Sequence, residues 1–129
     1  MEKQGNYFNS ELNRYIGENL PKIMTSIDMD LFQVKISRKI IRFAEYKHLN
    51  EGVGKQQLKA LEILAKIAKV INANSHLFDN WKIQVMIIRG NKPYDYIEIK
   101  DLCDNCIYKV EDKKEINRFL TLEPKPLNP

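Results

Sequence analysis

Cysteine is scarce in this chain of 129 residues, with only Cys103 and Cys106. The N-terminal lysine has no apolar run behind it, so a secretory signal is not expected. Two thiols in such a chain do not make a disulfide framework. Long hydrophobic runs are missing too. No stretch reaches the roughly 18 apolar residues that a membrane-crossing helix needs, so no membrane partner is expected. Internal repeats and low-complexity tracts are absent. Charge of one sign is only mildly in excess. Lys and Arg total 21 against 17 Asp and Glu, a formal charge of +4 and a pI near 9.0. That bias suits a phosphate-bearing partner without demanding one. What remains is one compact domain over residues 1–129, expected to be soluble and cytoplasmic. Hydrophobic residues make up 43% of it, enough to build a core.

Apolar periodicity predicts the elements. Phe8, Leu12, Tyr15 and Ile16 share a face of a helix from about Asn9 to Asn19, which Pro21 stops. Met24 to Lys35 and Lys39 to Lys47 are rich in Ile, Leu, Phe and Val, with a short polar turn between them. They read as an antiparallel hairpin. A loop punctuated by Gly52 and Gly54 leads into a long helix, about Lys55 to Asn72. Its core stripe is Leu58, Leu61, Leu64, Ala65, Ala68 and Ile71. Lys55, Lys59, Glu62, Lys66 and Lys69 form the opposite stripe. Trp81 to Arg89 has the density of a buried strand, and Tyr94 to Ile99 is a further strand. Asp112 and Glu115 form a capping box before a helix from Lys113 to Leu120, and an extended tail follows over about 121–129. The fold class is therefore α/β. A mixed central sheet is flanked by helices, and a right-handed crossover joins parallel strands between Lys39 and Arg89.

Chemistry concentrates in the hairpin. Centring its turn between Ser37 and Arg38 sets Asp30 opposite Glu45 and Asp28 opposite Lys47. Glu45 and Lys47 share a face because strand side chains alternate. Two carboxylates a strand spacing apart need neutralising, and a hard divalent cation does so. Mg²⁺ takes carboxylate and carbonyl oxygens and keeps several waters, one of which can attack a phosphate. A lysine beside it would position that water or offset the phosphate charge.

The order of Asp30, Glu45-Tyr46-Lys47 and the surrounding elements resembles the PD-(D/E)XK nuclease superfamily. That group includes restriction enzymes, Holliday-junction resolvases and phage exonucleases. The resemblance covers roughly the first 90 residues as helix, strand, strand, helix, strand. It implies a restriction-endonuclease-like core and Mg²⁺- or Mn²⁺-dependent cleavage of DNA, less readily of RNA. Asp30 and Glu45 would then hold the metal with the Tyr46 backbone carbonyl, and Lys47 would act in catalysis. Glu11 (or Glu18) and Gln56 (or Gln57) match the supporting acid and glutamine of several members. Met29 stands where the family has proline, and Asp28 is an alternative metal ligand. So compact a nuclease suits a phage or a mobile element.

Other residues are weighed by the same physics. Lys55, Lys59 and His48 are candidates for nucleic-acid contact, against a solvated helix face on which Glu62 pairs with Lys66. Arg38, Lys39 and Arg42 lie near the motif in sequence. Cys103 and Cys106 have zinc-knuckle spacing but no second pair, unless a homodimer supplies one. Trp81, Tyr94 and Tyr96 read as packing residues. The rival to a nuclease is a non-catalytic nucleic-acid-binding or protein-interaction module on the same fold.

Overall fold

A computed structural model describes residues 11–19, 30–91 and 94–123 of the chain, with the backbone alone at 12, 13, 16 and 17. The elements are α1 (Glu11–Asn19), β1 (Leu31–Lys35), β2 (Ile40–His48), α2 (Lys55–Ala73), β3 (Lys82–Gly90), β4 (Ile97–Asp101), β5 (Cys106–Val110) and α3 (Lys113–Leu120). Phe8, Asp28 and the stretch from Met24 to Met29 lie outside the described residues, as does the tail after Glu123.

The five strands form one sheet in the order β1-β2-β3-β4-β5. β1 and β2 pair antiparallel with Leu31 against Ala44 and Lys35 against Ile40, the register the turn symmetry predicts. A single 3₁₀ turn, Ile36–Arg38, closes the hairpin, and Lys39 sits in the left-handed region at φ 56°. β2 and β3 run parallel, connected through α2, and the remaining pairs are antiparallel. The sheet is mixed, as expected.

Alternation along the strands sends apolar side chains to both faces. On one face Leu61, Ala65 and Ala68 of α2 cover Val85 and Ile87 of β3. Leu61 is fully buried. Truncating it to alanine would cost about 3 kcal/mol through lost transfer energy and the cavity left behind. Asn72 pins the end of α2 to β3. Its Nδ2 donates to the Ile83 carbonyl at 2.8 Å and its Oδ1 accepts from the Ile83 N–H at 2.7 Å. On the other face Ile116 of α3 packs against Ala44, Met86, Ile88, Ile97, Ile99 and Val110. Asp112 caps α3 by accepting from the Lys114 N–H at 2.9 Å.

Several expectations change. β5 is an additional strand, and β4 begins at Ile97 rather than Tyr94 because Tyr94 takes φ 69° in the preceding loop. The face of α2 turned away from the sheet is not a basic stripe but an apolar ridge. Ile63, Ile67 and Val70 are 52%, 53% and 63% exposed there, with the lysines along its flank. Glu62 and Lys66 are both exposed, and no ion pair joins them. Only half of the capping box forms, since Glu115 returns no bond to Asp112.

Candidate active site

β2 is longer than β1. Beyond Ala44 it continues through Glu45, Tyr46, Lys47 and His48 with no described ladder partner on the β1 side. Asp30 substitutes for that partner with its side chain, and its Oδ2 accepts from the Tyr46 N–H at 2.9 Å. In an extended strand the N–H and C=O of one residue point to the same side. The Tyr46 carbonyl is therefore turned toward Asp30 and away from β3.

Continuing the register by one residue sets Asp30 against Glu45, on the α2 face of the sheet. Glu45 is 4% exposed, and its Oε1 is buried with no hydrogen-bond partner among the described residues. Lys47, on the same face, brings Nζ to 3.7 Å from Glu45 Oε2. The Glu45 carboxyl is pushed up to about 7. Burial is the main cause, reinforced by the Asp30 carboxyl, which bonds and repels it, and opposed by Lys47 and Gln57. A buried acid beside a second acid resists ionising, because its charge loses water and meets a like charge.

The amino end of α2 completes the surroundings. Gln57 reaches Glu45, whereas Gln56 is exposed. Of the two glutamines the sequence offers, Gln56 was put first, and Gln57 is the one that acts on the acid. Lys55 and Lys59 are exposed on this and the next turn of α2. Glu11 and Glu18 are exposed on α1, and neither is among the groups acting on Glu45. His48 is exposed at the end of β2, and alternation puts its side chain on the face opposite Glu45 and Lys47.

One cation of the site edge was missed. Arg89 lies in register with Lys47 on the α2 face, and its Nε donates to the Glu51 carbonyl at 3.1 Å. The signal was available in the sequence, since Arg89 ends a buried strand. The Glu51 side chain in turn accepts from the His48 N–H at 2.8 Å, which ties down the loop after the motif.

Two other sets of residues leave the site altogether. Arg42 is 2% exposed on the α3 face. It donates to Gln84 Oε1, Gln33 Oε1 and the Phe119 carbonyl at 2.9, 3.2 and 2.7 Å. Its guanidinium carbon stands 3.9 Å from the Phe119 ring centroid. Burial draws its pKa down to about 10, with Asp101 opposing the shift. Cys103 is buried beneath α2, and Cys106 opens β5 exposed, so the two thiols face different surroundings and do not converge as ligands.

Among the described residues no group of three or more His, Cys, Asp and Glu side chains converges on a point. A cation here would rest on two carboxylates, with a backbone oxygen and water filling its shell. Mg²⁺ accepts such a donor set, since it retains several waters. The orphaned Glu45 Oε1 and the adjoining Asp30 carboxyl fit a hard cation in chemistry.

Comparison with protein-family models, with curated proteins and with solved structures returns no match.

Proposed function

We propose that this protein is a metal-dependent nuclease hydrolysing phosphodiester bonds, with DNA favoured over RNA. The observation that carries the reading is the pairing of Asp30 with buried Glu45, whose Oε1 is unpartnered and whose Oε2 lies 3.7 Å from Lys47 Nζ. Lys47 is one base beside two acids, and it pairs with Glu45 through Oε2 alone. Here a second acid adjoins the first, and burial raises the cost of charging Glu45. A divalent cation removes that cost.

Asp30, Glu45 and the Tyr46 carbonyl are the groups that would hold Mg²⁺ or Mn²⁺. When bound, the ion supplies Lewis-acid stabilisation of the phosphate and an activated water. Lys47 would orient the attacking water and offset the charge growing on the phosphate oxygens. Gln57 acts on the Glu45 carboxyl against the upward shift. Lys55, Lys59 and Arg89 border the site and supply positive charge for the backbone of the substrate.

The test is a cleavage panel of single-stranded, duplex and branched DNA and of RNA, with Mg²⁺, with Mn²⁺ and with EDTA. Cleavage in metal alone, lost in Asp30→Asn and in Glu45→Gln, is the expected result. Wild-type cleavage by both variants would overturn the assignment.

A further inference from the structure

Consecutive residues of a strand point to opposite faces. The middle residue of Glu45-Tyr46-Lys47 therefore leaves the acids behind. Asp30 holds the Tyr46 N–H, and the Tyr46 ring lies on the α3 face. Two rings stand steeply against it. His48 is 6.1 Å away at 76°, and Tyr94 is 6.0 Å away at 63°. His48 is exposed and Tyr94 is 42% exposed. The cluster shares the rim of the sheet with the acid pair, at the carboxyl ends of β2 and β3.

Two features argue against plain packing. Tyr94 is held at φ 69°, a conformation that bulky side chains rarely adopt. Its N–H donates to the Asn91 carbonyl at 2.7 Å, and Asn91 Nδ2 donates to Asp95 Oδ1 at 3.0 Å. A strained backbone that presents an aromatic ring to solvent contributes little to a core. Tyr46 Oη, and Asn91 Oδ1 three residues before Tyr94, are buried without partners among the described residues. Native packing usually avoids such orphans, and they gather where a site departs from structural optimum.

We propose that Tyr94, His48 and Tyr46 form a subsite for one unpaired nucleobase, at the rim of the sheet across from the cleaved phosphate. The inference rests on reading the acid pair as the phosphate-cleaving site. The ring of Tyr94 is the stacking surface, and Tyr46 is the wall that fixes it. A base paired within a duplex has its faces covered by neighbours and cannot stack there unless it leaves the helix. The preferred substrate is then a strand with unpaired bases, and the preference is tolerant of base identity because every base has a π face.

The test measures binding of the full chain in EDTA, so cleavage plays no part. The probes are a fluorescent oligothymidylate, an abasic chain with the same number of phosphates, and a duplex of the same length. The wild-type protein is expected to bind the thymidylate about tenfold tighter than the abasic chain, within the range that one stacked base contributes. Tyr94→Ala should lower thymidylate binding to the abasic level and leave abasic binding unchanged. Tyr94→Phe should keep the preference, and His48→Ala should weaken it. Equal binding of thymidylate and abasic chain by the wild type would overturn the proposal. So would tighter binding of the duplex, or a Tyr94→Ala loss that falls equally on both single strands. A protein that cleaves with Mg²⁺ yet ignores bases loses only this inference. One that prefers bases but never cleaves loses the nuclease reading instead.

Discussion

Asp30 Oδ2 accepts a hydrogen bond from the Tyr46 N–H at 2.9 Å, where β1 has ended and β2 runs on. One acid thus completes the sheet with one oxygen and reaches the other acid with the same carboxyl. Fold and proposed chemistry meet in a single side chain, and variants of it must be designed accordingly. Asp30→Asn keeps an acceptor for Tyr46 and removes only the charge, whereas Asp30→Ala loses both.

Glu45 makes stability depend on pH in a definite direction. Its carboxyl is raised from its ordinary value of 4.5 to about 7 in the folded chain, so the folded state holds this proton more tightly than the unfolded state. The stabilisation is fully present below the unfolded pKa. It fades as pH rises and is lost above about 7. By linkage the loss amounts to about 3 kcal/mol at most. Urea unfolding in EDTA should show the protein less stable at pH 8 than at pH 5.5, and Glu45→Gln should flatten the difference. Adding Mg²⁺ at pH 8 should restore stability, a readout independent of cleavage. A wild-type protein equally stable at both pH values would contradict the burial of an acid here.

Lys47 should affect turnover and the acid separately. Lys47→Ala is expected to lower the cleavage rate about 100-fold, the low end for a positioned proton-handling group, with little change in metal affinity. Because Lys47 opposes the upward shift of Glu45, its removal should raise that carboxyl further. A carboxyl-specific NMR titration of Glu45 in the variant checks the direction without substrate.

Lys55 and Lys59 are expected to meet backbone phosphates. Neutralising both to glutamine should weaken DNA binding and reduce the slope of log affinity against log salt by roughly 1 to 2, because each lost contact no longer releases counterions. An unchanged slope would make these lysines solvated surface. They are exposed, so fold stability should hardly move.

Arg42 separates fold from function. Arg42→Leu would strand the side-chain carbonyls of Gln33 and Gln84 and the Phe119 carbonyl in a buried setting. A loss of about 3 kcal/mol in unfolding free energy is expected from the unmade bonds. Metal-dependent cleavage per folded molecule should stay at the wild-type rate, because this side chain lies on the face opposite Glu45.

The sequence by itself determined the hairpin and what it brings together. Centring the short turn between Ser37 and Arg38 sets Leu31 against Ala44, and one further step sets Asp30 against Glu45. It likewise determined α2 and α3, whose apolar spacing is local. Tertiary structure alone decided which end groups matter. Gln57 rather than Gln56 meets the acid, since each residue turns a helix by about 100° and packing chooses the rotation. Burial of Glu45 and the rise of its carboxyl needed α2 laid over β2 and β3. Arg42 looked like a basic residue near the motif, yet the partners that bury it come from β1, β3 and α3, as distant as Phe119. β5 escaped because Cys106–Val110 is a short edge strand, its alternation too brief to stand out until β4 gives it a partner. Pairing across distant segments is a property of the assembled sheet, and no local pattern carries it.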